Sequence, residues 1–244
     1  MKRLISLIIV GLLLFSGCSE PTVDISQYDK IIDAESKTDL NGKYSADFRL
    51  NMVFGDEKAT LLFAQGSYEA DKTAHNTRVT AKMSQTVLGV ASAVKVDYDG
   101  KTSKTDVDGK VSESAVTPDE FFSEMIYSGI IVPKKEHVKS IKIAKNDVGT
   151  IYTAEFDGID ETLFNFFGND IYSMVFIKNP IHDKFACKNV SISYIITNDG
   201  IISDLTLDFI MSLYDTPPYN PGVSANNEDY MLDVFVNFTV KFKK

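Results

Sequence analysis

A chain of 244 residues, 44% hydrophobic and 11% aromatic, can bury a substantial core as one large domain or two small ones. Its 34 acidic residues outnumber 25 basic ones, for a net charge of −9, and no basic tract interrupts them. That balance argues against nucleic acid as a partner, which needs a positive footprint.

Residues 1–17 read as a signal peptide. Met1-Lys2-Arg3 is a positive n-region, and Leu4 to Gly17 is an apolar run too short for a comfortable transmembrane span. The run ends Phe15-Ser16-Gly17-Cys18, which resembles the lipobox of bacterial lipoproteins, with Phe15 where Leu is usual. The resemblance implies that Cys18 is acylated, becomes the mature N-terminus and holds the protein to the outer face of the cell membrane. An ordinary secretory signal with an incidental Cys is the competing reading. With Cys18 acylated, Cys187 has no partner for a disulfide and reads as a buried structural thiol at a strand start. Residues 18–42 form a polar tether and a short helix, whose pattern of Tyr28, Ile31, Ile32 and Glu35 suits packing at the domain edge.

From Lys43 the period changes to two, and residues 43–244 read as a single domain. Tyr44, Ala46, Phe48, Leu50, Met52 and Phe54 alternate with more polar neighbours, as a strand with one apolar face requires. Further strands are expected at about 59–70, 76–88, 90–98, 101–107, 110–116, 138–145 and 149–157. A final three-stranded meander runs from Val190 to Phe242. Asn198-Asp199-Gly200 marks a hairpin of the tight primed type.

Asp97-Tyr98-Asp99-Gly100 and Asp106-Val107-Asp108-Gly109 raise the question of a calcium loop. An EF-hand loop needs Asp at positions 1, 3 and 5 with Gly at 6, and here Gly follows the second Asp directly. Both stretches separate alternating runs, so both read as hairpin tips.

Two short aromatic helices interrupt the strands. Thr117 as N-cap, Pro118 at the first helical position and Glu120 closing a capping box start a helix over 118–128 that carries Phe121, Phe122 and Met125. Asp160 to Phe167 carries Phe164 and Phe167 and stops at Gly168. Asp215 to Asp229, rich in Pro and Asn, is too long for an ordinary hairpin; it is either a functional flap or a disordered excursion.

Together the lipobox at Cys18, the opening strand 43–54, the Tyr98-Asp99-Gly100-Lys101 turn, the Thr117-Pro118 helix and the hairpin at 193–207 resemble the LolA/LppX-like lipoproteins. The resemblance implies a mainly β (α+β) fold, a strongly curved antiparallel half-barrel with short lid helices over an apolar cavity.

No metal or catalytic pattern emerges. His75, His137 and His182 show no zinc spacing, and neither a phosphate loop nor a GxSxG motif occurs. The chain reads as non-enzymatic, without cofactor. The first functional reading is a binder of a lipid or acyl chain, with Phe48, Leu50, Met52, Phe54, Phe121, Phe122, Met125, Phe164 and Phe167 lining the cavity. The bland alternative is that these residues fill a core. The second functional reading is a lipoprotein that docks another envelope protein through its acidic surface or the 215–229 loop.

Overall fold

The computed structural model describes residues 25–40, 42–55, 59–73, 76–124, 129–163, 166–167, 185–214 and 231–243. The expected signal peptide, Cys18, His75, Met125, Phe164, His182 and the 215–229 connection lie outside the described residues. A 3-10 turn (Ile25–Gln27) leads into α1 (Tyr28–Lys37). The first block of strands follows: β1 (Lys43–Phe54), β2 (Ala59–Thr73), β3 (Asn76–Val87), β4 (Val90–Tyr98), β5 (Thr102–Val107) and β6 (Lys110–Ala115). After α2 (Pro118–Glu124) come β7 (Val138–Lys145), β8 (Gly149–Phe156), β9 (Phe185–Thr197), β10 (Ile202–Tyr214) and β11 (Met231–Lys243).

The strands form one 11-stranded antiparallel sheet in the order β6-β5-β4-β3-β2-β1-β11-β10-β9-β8-β7. The chain meanders outward to one edge, crosses to the opposite edge, and meanders back until its last strand zips onto its first. Because β6 and β7 stay unpaired with each other, the barrel is a half-barrel. Strand periodicity sorts the side chains: Tyr44, Ala46, Phe48, Leu50 and Met52 of β1 are buried on the inner face, while their odd-numbered neighbours are not. The same parity buries Ile192, Tyr194 and Ile196 of β9 and Val234, Val236, Phe238 and Val240 of β11.

The described parts of the crossover between the two edges, 116–124 and 129–137, meet the inner face, and tyrosines pin them there. Tyr98 donates to the Val116 carbonyl at 3.2 Å, Tyr194 to Ile131 at 2.7 Å, and Tyr28 to Pro133 at 2.6 Å. Buried backbone carbonyls need such donors, since an unmet one costs about 1–3 kcal/mol. Burial pushes the Tyr28 and Tyr194 phenols well above their usual range, so all three hydroxyls stay protonated donors.

The N-terminal helix differs from its expected place. Its buried face is Tyr28, Ile31 and Ala34, and Ile32 is 39% exposed. Rather than resting at the domain edge, α1 packs on β9 and β10. The Thr38 hydroxyl donates to Ala34 O at 2.6 Å and accepts from Ile202 N at 2.8 Å, tying the helix end to the start of β10. Helical spacing explains the swap: Ala34 follows Ile31 by three residues and shares its stripe, whereas Ile32 is rotated roughly 100° away.

The aspartate turns are hairpin tips. Asp108 and Gly109 both take positive φ, 51° and 85°, in a two-residue loop between Val107 and Lys110, as a type I′ turn requires. Leu88-Gly89 makes a second such turn between β3 and β4. The Asp99 carboxylate accepts from Lys101 N and Thr102 N, and these bonds, Thr102 first, hold it below the usual carboxylate range. The Asn198-Asp199-Gly200 turn is not of the primed type. Only Gly200 has positive φ (78°), and Thr197 N bonds Ile201 O across a three-residue loop, which gives a type I turn followed by a bulge.

A candidate apolar site on the inner face

Three elements contribute the residues that sequence periodicity singled out. On β1, Phe48, Leu50 and Met52 face inward and are buried, with Phe54 half-buried at the strand end. Across the seam they pair in register with β11: Phe48 with Val240, Leu50 with Phe238, Met52 with Val236 and Phe54 with Val234. Each cross-strand pair puts two apolar side chains on one face within contact distance.

Phe167 lies over the middle of this floor. Ile159, Leu163 and Phe167 form a buried stripe at helical spacing, with residues 160–163 and 166–167 helical. Phe167 is 1% exposed and meets Phe238 edge to face at 5.6 Å and Phe209 at 5.7 Å, with Phe166 beside it at 4.7 Å. These rings fill the space above β10 and β11 and anchor the segment to the sheet.

The α2 residues join the same core through a different set of ring contacts. The capping box is present: Thr117 N donates to Glu120 Oε2 at 2.8 Å, and Glu120 N donates to Thr117 Oγ1 at 3.3 Å. It starts the helix so that Phe121 stacks on Tyr98, centroids 4.1 Å apart and planes 7° from parallel. Phe122 crosses Phe121 edge to face at 5.6 Å and lies 3.8 Å below the ammonium of Lys72. Lys72 also sits 5.8 Å from the Tyr44 ring, and Tyr44 meets Tyr68 edge to face at 5.8 Å. Burial pushes the Tyr44 phenol up to about 12.

The sequence reading did not include Lys72, Tyr68 or Tyr98 among the site residues. A signal existed for Lys72: it follows Leu62, Ala64, Tyr68 and Ala70 at even spacing, which places it on the apolar face of β2.

Toward the β3–β4 hairpin the inner face loses its cover, and the paired Gln85 and Ser92 interrupt its apolar residues. Ala81, Met83 and Val87 of β3 and Val96 of β4 are half-buried, and at the tip Leu88 and Val90 are 63% and 71% exposed. The helix α1 packs on the opposite half, over β9 and β10, and α2 reaches Tyr98. A mainly apolar strip, crossed by the Gln85–Ser92 pair, therefore runs from the buried floor to solvent.

The described elements define a class: an unclosed antiparallel half-barrel with an apolar inner face, short helices across it and an uncovered apolar end. No family model and no curated protein matches this chain. Among solved structures it is similar to LprF from Mycobacterium bovis, at 11% identity and TM-score 0.43, covering 91% of this chain and 93% of that one. It is also similar to a LolA superfamily protein from Nitrosomonas europaea, at 9% identity and TM-score 0.25, covering 91% and 92% of the two chains. Among the described residues no helix is long and apolar enough to cross a membrane, and no group of three or more His, Cys, Asp or Glu is placed to hold a metal ion.

Proposed function

We propose that this protein is a non-enzymatic extracytoplasmic lipoprotein, anchored through Cys18, that binds the apolar part of a lipid or acyl chain on the inner face of its half-barrel. The observation that carries this reading is the uncovered apolar strip at Ala81, Met83, Val87, Val90 and Val96. Apolar surface left half-open inside a curved sheet, and continuous with a buried aromatic floor, is where a chain-like ligand gains most from leaving water. Acyl chains on Cys18 would keep the site beside the bilayer, and two chains hold far more firmly than one.

The test has two parts. Replacing Cys18 with Ala should leave the precursor unprocessed and change its membrane retention; unchanged mobility and retention would count against the anchor. Lipid extraction and native mass spectrometry of the purified protein should find a co-purified apolar molecule. A clean apo mass, together with no binding of a hydrophobic dye, would remove the carrier reading.

One observation supports the docking alternative. On the outer face Val53, Ile210 and Phe235 line a shallow groove of about 350 Å³ with Asn51, Asp208 and Asn237, and Phe235 is 45% exposed. Phe235→Ser separates the readings: a docking protein loses its partner, whereas a carrier keeps its ligand.

A further inference from the structure

Lys72 is unlike the ion-paired lysines of the sheet. Lys43 pairs with Asp71, Lys142 with Glu155 and Lys139 with Asp157, all at exposed positions. Lys72 is half-buried on the inner face at the end of β2, and no carboxylate among the described residues pairs with it. Its neighbour Asp71 belongs to the other face by strand parity. Around the ammonium stand aromatic rings, Phe122 at 3.8 Å and Tyr44 at 5.8 Å. The faces of rings attract a cation but cannot accept its three N–H donors as an anion does. A charge withdrawn from water is normally paired, because leaving it unpaired is costly. Burial alone lowers the Lys72 pKa, with no anion to raise it again.

We propose that Lys72 is the headgroup subsite of the inner face, receiving the acidic headgroup, carboxylate or phosphate, of a single-chain amphiphile whose tail lies along the apolar strip. The proposal rests on the carrier reading and adds the ligand's charge to it. Ala70, Tyr68 and Gly66 of β2 pair with Val79, Ala81 and Met83 of β3 in register, so the buried Tyr68, Ala70 and Val79 stand between Lys72 and the half-open strip, and a tail must displace their packing to reach it. Phe122 covers the ammonium as part of α2, so the helix that carries it also shields the subsite. In a chain of net charge −9, an aromatic-lined cation without a carboxylate partner among the described residues is a specific rather than a general attraction for anions.

The test uses the full chain in a non-ionic amphipol, titrated with fluorescent cis-parinaric acid and with its methyl ester, amphipol alone serving as background. The parent should bind the acid about tenfold more tightly than the ester, the scale of one charge-assisted hydrogen bond. Lys72→Met keeps the stem and should bring the ratio near one with ester affinity unchanged, while Lys72→Arg should retain the preference. A merely structural role for Lys72 would move both probes together and leave the ratio alone. If Lys72→Met keeps the parent's ratio, the subsite falls while the carrier reading stands. If the parent binds neither probe, the carrier reading falls first. Should Lys72→Met fail to fold, the parent decides by itself, since equal binding of acid and ester overturns the subsite. Displacement of bound parinaric acid by dodecanoate and by dodecyl phosphate, each compared with dodecanol, separates the two headgroups. Dodecanol competing as well as both anions would also overturn it.

Discussion

Leu50 on the first strand and Phe238 on the last face each other in register, both fully buried, at the seam where the two halves of the chain join. The half-barrel is therefore completed only when the C-terminal strand arrives. Phe238→Ala should cost about 3–5 kcal/mol and Leu50→Ala about 2–5 kcal/mol, each through a cavity at the seam. Because the two residues touch the same space, the double variant should cost less than the sum of the singles. Urea denaturation followed by far-ultraviolet circular dichroism measures all three.

Gly66 lies on the inner face opposite Phe48, and a Cβ there would stand 2.2 Å from the Lys82 carbonyl oxygen and 3.0 Å from Phe48 Cζ. Gly66→Ala should therefore destabilise by about 1–3 kcal/mol or more, since backbone cannot yield as a side-chain tip can. Gly109→Ala meets open space but keeps φ at 85°, so its cost should be about 1–2 kcal/mol from backbone strain alone. Equal effects in thermal denaturation would contradict the close approach at Gly66.

Phe121 and Phe122 are adjacent yet should behave differently. Phe121 is 5% exposed and stacked on Tyr98, so Phe121→Ala should cost about 3 kcal/mol. Phe122 is half-buried against Lys72, and its loss should cost about 1 kcal/mol, the scale of a partly exposed cation–π contact. In ligand-free protein Phe122→Ala should shift the urea midpoint much less than Phe121→Ala while weakening hydrophobic dye binding. A severely destabilised Phe122→Ala with dye binding intact would make Phe122 a core residue.

The backbone bond from Thr117, and then its side-chain bond, hold the Glu120 carboxylate below its usual range. A depressed carboxylate contributes stability above its unfolded pKa and loses it as pH falls through the folded value. The stability gap between the parent and Glu120→Gln should therefore be present at neutral pH and close progressively under acid. A gap that widens on acidification would contradict the capping role.

Burial, reinforced by the nearby Asp160 carboxylate, pushes the Cys187 thiol far up. With almost no thiolate present, Cys187 should react with Ellman's reagent orders of magnitude more slowly in native protein than in guanidinium. A Cys18→Ser background leaves it the sole thiol. Rapid native reaction would mean the thiol is accessible.

Much of the fold was legible locally. Period two placed the first strand at residues 43–54, as observed, and placed the other strands closely, except that β9 begins five residues earlier than Val190. The capping residues Thr117 and Glu120 marked the start of α2. Each of these depends on neighbours in sequence: the alternation of side chains on a strand, the positive φ that Gly accepts, the reach of a threonine hydroxyl to a backbone three residues on. Even the locally readable Asn198-Asp199-Gly200 turn was assigned the wrong type, because the three residues suit either loop length and only the strand pairing chooses between them.

What only the tertiary structure decided is long-range. No local signal pairs β11 with β1, brings Tyr28 to Pro133 across 105 residues, or lays the crossover on the inner face. The alternation of Val79, Ala81 and Met83 marks the apolar face of β3, but whether that face is covered depends on where helices from distant segments land. Lys72 is the sharpest case: its face followed from strand parity, but the rings around it come from β1 and α2, and the lack of a carboxylate among the described residues is a property of their assembly. Backbone preference and periodicity act over a few residues. Pairing and burial are settled by which distant apolar faces exclude water together, and that is decided only when the chain closes on itself.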